Sequence, residues 1–117
     1  MGRNMSEKVF TKNVIDLARK LGWRAAHFWD SRRQVRPGVF VGDRDAAGWP
    51  DLVLAKQHGG TGPTTLIFAE LKSEGGVMTQ AQKDWYNILD LVQGRVYVVI
   101  WKPKAMQAIA DFLMRAA

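Results

Sequence analysis

Two carboxylates and an ammonium carry the most specific chemical signal in this sequence. Asp51 closes the run Gly48-Trp49-Pro50-Asp51, and after eighteen intervening residues stand Glu70-Leu71-Lys72. Side chains two apart on a β-strand share a face, so Glu70 and Lys72 point the same way. If a strand beginning at Asp51 pairs with the one ending at Lys72, Asp51 lies near Glu70 across a hairpin. Carboxylates that close repel one another unless a cation sits between them. Their oxygens suit a hard ion, Mg²⁺ or Mn²⁺, which takes one or two protein carboxylates and leaves positions for water and a substrate phosphate. The chemistry that follows is attack of metal-activated water on a phosphodiester, with Lys72 orienting the water or neutralising charge on the phosphate. An E-x-K triplet alone is common, and by itself it reads as a surface ion pair worth under about 1 kcal/mol. The linked spacing and the order of the surrounding elements separate the two readings.

Those elements follow from periodicity and turn chemistry. Phe10, Val14, Leu17 and Leu21 recur at spacings of three and four before Gly22, which predicts an amphipathic helix over 6–21. A strand over 23–29 leads into a long Gly- and Pro-containing loop, 30–50, carrying Arg32, Arg33, Arg36 and Arg44. Strands over 51–55 and 64–72, joined by the turn QHGGTGP, form a hairpin. Thr79 is an N-cap with Gln82 three residues on, and Trp85, Leu89 and Val92 line one face of the helix that follows, which Gly94 ends. The nearly continuous apolar run 96–101 reads as a strand buried on both sides. Pro103 opens a last helix with Met106, Ile109, Ala110 and Leu113 as its apolar stripe. The expected architecture is α/β with an α+β mixed sheet: an αβββαβ core followed by a C-terminal helix, in a single domain over 1–117.

The bulk properties fit one soluble domain. The chain has 117 residues, 47% hydrophobic and 24% charged, enough to bury roughly two-thirds of its unfolded surface. Seventeen Lys and Arg against eleven Asp and Glu leave a formal charge of +6, which attracts polyanions such as nucleic acid. The absence of cysteine excludes disulfides, thiolate zinc sites and cysteine nucleophiles and makes a reducing cytosol the natural compartment. With two histidines, an all-histidine metal site is also disfavoured. The N-terminus lacks an apolar signal core, and the apolar runs are of strand length, so neither secretion nor a membrane span is expected.

The pattern PD…ExK resembles the signature of the PD-(D/E)xK nuclease superfamily, whose restriction-endonuclease-like core has the same αβββαβ order. More narrowly, GWPD, FAELK, GGVMTQAQKDW and QGRVYVVIW are similar to the virus-type replication-repair nuclease (VRR-NUC) domain. The likeness runs from about Glu7 to Trp101; Met78 and Gln80 stand where that family more often has leucine and proline. The resemblance implies that Asp51 and Glu70 ligate the metal, that the backbone carbonyl of Leu71 is a third ligand, and that Lys72 is the catalytic lysine. It matches Gln82 to the family's glutamine and Glu7 to the acid of the first helix, which would decide between one metal ion and two.

Helical spacing sets Glu7 with Phe10, Val14 and Leu17, and Gln82 with Trp85 and Leu89, so both polar groups are candidates to point inward. Capping alone would also account for Gln82, and a favourable helix dipole for Glu7. Arg32, Arg33, Arg36 and Arg44 are candidates for DNA phosphate contacts, against the alternative of a solvated basic loop. His27, Trp29 and Trp49 are candidates for base stacking, with core packing the commoner use of such residues.

The resemblance implies a Mg²⁺- or Mn²⁺-dependent endonuclease acting on DNA without a nucleotide cofactor. Such domains are associated with phage or bacterial DNA replication, recombination and repair, and with branched DNA such as Holliday junctions, in the cytoplasm of a bacterial or phage-infected cell. A domain this small cuts two strands most simply as a homodimer. The rivals are a nuclease of linear or flap DNA, a non-catalytic nucleic-acid-binding module, and a small structural or toxin-neutralising protein whose charge serves a protein partner.

Overall fold

The computed structural model describes residues 6–28, 33–36, 39–41 and 46–116, the segments 33–36 and 39–41 by their backbone. The first helix, α1 (Glu7–Lys20), begins where Ser6 accepts a hydrogen bond from the amide of Val9 (3.2 Å), with acidic Glu7 in its first turn and Arg19 and Lys20 in its last. These charges complement the helix dipole. Its inward face buries Phe10, Thr11, Val14 and Ala18. Leu17 and Leu21 pack at the margin of the core, partly buried.

Strand β1 (Arg24–His27) is shorter than the predicted 23–29. Trp23 belongs to the core instead, its indole nitrogen donating to the carbonyl of Leu113 (3.2 Å). Part of the segment predicted as loop is a two-stranded antiparallel ribbon, β2 (Arg33–Arg36) and β3 (Val39–Val41), with a register shift between Gln34 and Arg36. Val35, Val39, Phe40 and Val41 favour extended backbone, so strand propensity outweighs the Gly and Pro content of this segment.

The predicted hairpin is present as β4 (Leu52–Gln57) and β5 (Thr64–Leu71), antiparallel from Leu52↔Ala69 to Gln57↔Thr64. A short 3-10 turn, His58–Gly60, joins them. Helix α2 (Gln80–Leu89) then returns the chain to β6 (Val96–Trp101), which runs parallel to β5. A 3-10 turn, Pro103–Ala105, leads into α3 (Met106–Arg115). The main sheet has the order β1-β4-β5-β6, so the αβββαβ core with a C-terminal helix is the order observed.

The two faces of this sheet differ. Leu52, Leu54, Ile67, Ala69 and Leu71 are wholly buried against Phe10, Val14 and Ala18 of α1 and Ile109 and Leu113 of α3. Each Leu, Ile, Val and Phe among them contributes roughly 1.5–3 kcal/mol relative to remaining exposed. On the opposite face Val53, Ala55, Leu66, Phe68 and Val98 are only half-buried, and no residue of α2, the helix that covers them, is fully buried.

Two predictions change as a result. Strand β6 is not buried on both sides: it lies at the edge of the sheet, and Tyr97 and Ile100 are each 42% exposed. Helix α2 stops at Leu89, which leaves Val92 outside it and 48% exposed. Among the described residues no helix is long and apolar enough to cross a membrane.

Candidate active site

The strand register brings the chemistry-bearing residues together at one end of the half-open face. Leu52 pairs with Ala69, so one step along the hairpin sets Asp51 opposite Glu70. The amide of Phe28 donates to the carbonyl of Asp51 (2.7 Å), extending the β1–β4 pairing past His27↔Leu52. On the other side Glu70 pairs with Ile100. A single cross-strand row therefore reads Phe28, Asp51, Glu70, Ile100.

Asp51 is fixed by its Oδ2, which accepts from the amide of Leu71 (2.9 Å). The turn before it is held just as closely. Gly48 has φ +82°, and a Cβ built on it would lie 2.3 Å from the carbonyl carbon of Ala81. Only glycine lets this turn lie directly on the first turn of α2. Trp49 then meets Phe28, Phe68 and Trp85 edge-on, with ring centroids 6.4, 5.5 and 4.9 Å apart. Trp49 is thus a packing residue that braces the turn against the sheet and α2.

Glu70 is 4% exposed. Its carboxyl is pushed up to about 9, first by burial, then by the hydrogen bond and the charge of Asp51, with Glu7 adding slightly and Lys72 opposing. Its Oε1 accepts from Nε2 of Gln82 (3.2 Å). The same Gln82 completes the predicted capping box: its amide donates to the Thr79 hydroxyl (3.2 Å), and its Oε1 accepts from the Thr79 amide (2.8 Å). Capping and site contact coexist in one side chain.

Lys72 follows β5 directly, its amide donating to the carbonyl of Trp101 (3.0 Å). The turn behind it is tied down by Gly76 N–H to the Ser73 carbonyl (3.0 Å) and by Lys102 Nζ to the Glu74 carbonyl (3.2 Å). The surface ion pair that an isolated E-x-K triplet suggests is not what forms, since Glu70 is buried. Among the described residues the ion pair within 4 Å is Lys12–Asp16 on the exposed side of α1.

The other sequence candidates separate. Glu7 is exposed in the first turn of α1 rather than turned inward. No three His, Cys, Asp or Glu side chains come together as a metal-holding group among the described residues, so the carboxylates that meet are the pair Asp51 and Glu70. Leu71 contributes its main chain, its side chain being wholly buried on the opposite face. His27 lies at the end of β1, its imidazole lowered by burial and raised in opposition by the Asp51 charge. Arg32, Arg44 and Trp29 lie outside the described residues, and Arg33 and Arg36 are placed by backbone alone, in β2.

The donor set fits a hard divalent cation. Asp51 Oδ2 is held by the Leu71 amide and Glu70 Oε1 by Gln82, which orients the two carboxyls toward a shared site. Burial comes first in raising Glu70, and a cation between the two groups would offset both that burial and the charge of Asp51. Phe28 and the Gly48 contact were not singled out from sequence. The signal for Gly48 was its place three residues before Asp51; Phe28 emerges only once the β1–β4 register is known. No protein-family model matches the chain, and no curated protein or solved structure matches it.

Proposed function

We propose that this protein is a Mg²⁺- or Mn²⁺-dependent DNA endonuclease of the PD-(D/E)xK type, similar to VRR-NUC domains, that cuts branched DNA such as Holliday junctions. The observation that carries the reading is the buried, raised Glu70 beside Asp51, with Gln82 and Lys72 at the same end of the sheet. A strand end that gathers two carboxylates without burying a permanent cation between them is costly to the fold, and that cost is understandable where an ion is to be held.

Asp51 and Glu70 would hold the cation, with the Leu71 carbonyl as third donor. When bound, it would supply Lewis acidity toward the phosphodiester and an activated water. Lys72, on the Glu70 side of the strand, is available to orient the nucleophile and to neutralise charge on the phosphate as the P–O bond breaks. Gln82 fixes the orientation of Glu70, and Leu71 N–H that of Asp51. The +6 charge favours a polyanionic substrate. One such site serves one strand, so a homodimer would serve a junction, in a DNA repair or recombination role within the cytoplasm.

The test incubates purified protein with labelled four-way junction, flap and linear duplex in Mg²⁺, Mn²⁺ or EDTA, beside a Lys72→Ala variant of equal thermal stability. Metal-dependent cutting of the junction, lost in the variant, is the expected result. Tight DNA binding with no cutting under either metal would replace this reading with that of a non-catalytic nucleic-acid-binding module.

A further inference from the structure

We propose that Phe28 is a stacking platform for an unpaired nucleobase next to the scissile phosphate, and that it gives the nuclease its preference for DNA with splayed strands. The inference rests on the reading of the site as a nuclease centre and names what that centre selects.

The argument begins with the row Phe28, Asp51, Glu70, Ile100. Directly opposed residues in neighbouring strands carry their side chains on the same face with Cβ atoms about 5 Å apart. The carboxylates therefore occupy the middle of the row, and each has an apolar neighbour on its outer side. Both neighbours are open to solvent, Phe28 at 47% and Ile100 at 42%. Scattered exposed apolar residues need no explanation, but two of them bracketing the Asp51–Glu70 pair in one row have a shared position to account for.

Of the two, Phe28 is built to present a ring. Its backbone is pinned to Asp51 by the 2.7 Å hydrogen bond, so it keeps station with a proposed metal ligand. Its ring meets the Trp49 indole edge-on at 86°, and Trp49 in turn meets Phe68 and Trp85 at 84° and 86°. Trp49, Phe68 and Trp85 are half-buried and spend their faces on packing, whereas Phe28, at the outer end of this chain of rings, stands exposed.

A braced, exposed aromatic face one strand from a phosphate-binding centre suits a base that has left its duplex stack. A base within continuous duplex is stacked on both faces and cannot use it. Ile100, without a π-face, is suited to apolar contact with a sugar or base edge on the far side.

The experiment measures binding separately from cutting. Wild type, Phe28→Leu, Phe28→Tyr and Lys72→Ala, matched for thermal stability, are titrated in Ca²⁺ with a four-way junction and with a fully paired duplex. Each DNA carries 2-aminopurine at the branch point or its duplex equivalent. Stacking on Phe28 predicts quenched fluorescence for the junction, and Phe28→Leu should lose about tenfold in junction affinity together with the quench, with duplex affinity unchanged. Phe28→Tyr should restore both, because it keeps the ring. In Mg²⁺ Lys72→Ala should fail to cut either DNA, which tests the nuclease reading on its own. Equal junction affinity and quench in Phe28→Leu, or equal weakening on junction and duplex, would overturn the role of Phe28 while leaving that reading intact.

Discussion

One sheet has two faces with opposite priorities. Toward α1 and α3 the strands β4 and β5 present Leu52, Leu54, Ile67, Ala69 and Leu71, all apolar and sealed. Toward α2 these strands and β6 offer Val53, Phe68 and Val98 at half burial, and Asp51 and Glu70 meet Gln82 of α2 at one end. The sealed face supplies the stability, and the half-open face uses some of it to keep two carboxylates side by side. Because residues alternate along each strand, Ala69 and Leu71 anchor the backbone between which Glu70 is presented.

The largest test of this division is pH. Glu70 is raised in the folded protein from 4.5 to about 9, so between those values the folded state binds more protons than the unfolded one. That stabilisation is fully present below pH 4.5 and is lost as pH rises through 9, at up to about 1.4 kcal/mol per pH unit. Denaturant titrations in EDTA should therefore show metal-free protein weakening from pH 5 to 9, a slope absent from Glu70→Gln and reduced by added Mg²⁺. A wild-type profile no steeper than that of Glu70→Gln would remove the strained pair from the comparison.

Next in size is the packing difference itself. Leu54→Ala on the sealed face should cost about 2–5 kcal/mol, because the cavity it leaves cannot collapse. Val98→Ala on the half-open face should stay near 1 kcal/mol, since water already reaches that surface. Equal losses in denaturant melts would mean that α2 closes its face as well as α1 and α3 close theirs.

Between the faces lies the Gly48 turn. Gly48→Ala places a methyl group into the Ala81 backbone at a φ of +82°, and about 1–3 kcal/mol of strain should follow. Either the turn or the first turn of α2 must move, carrying Asp51 away from Glu70, so Mn²⁺ affinity measured by calorimetry should fall along with stability. A variant that loses stability yet keeps its metal affinity would uncouple the turn from the carboxylates.

How legible all this is in the sequence depends on range. Local signals were accurate: Ser6 and Thr79 start their helices, and alternation in 64–71 puts Glu70 on the face opposite Ala69 and Leu71. The Asp51–Glu70 meeting was also legible, because a short turn between two strands leaves few registers. What sequence could not give was sheet order. The run 96–101 looks like a central strand, yet among the described residues it pairs with β5 alone and stands at the edge with Tyr97 and Ile100 exposed. Phe28 was hidden for the same reason: its partner lies more than twenty residues away, across a segment read as loop. For Glu7 spacing assigned only a face: the residue stands exposed in the first turn of α1, while its charge still contributes to raising Glu70.

The smallest effect separates the two duties of Gln82. Thr79→Ala removes the hydroxyl that accepts from the Gln82 amide, at a cost of about 1 kcal/mol. The Gln82 Nε2 bond to Glu70 is untouched by that change. Amide exchange should quicken in the first turns of α2 while Mg²⁺-dependent cutting stays within about twofold of wild type. Gln82→Ala loses its side-chain part of the cap and also leaves Glu70 without its amide partner, so exchange should quicken similarly and cutting should slow by about tenfold or more. If Gln82 were a cap alone, the two variants would slow cutting alike. A gap between them in cutting, at equal exchange, assigns the difference to the bond that joins α2 to the carboxylate pair.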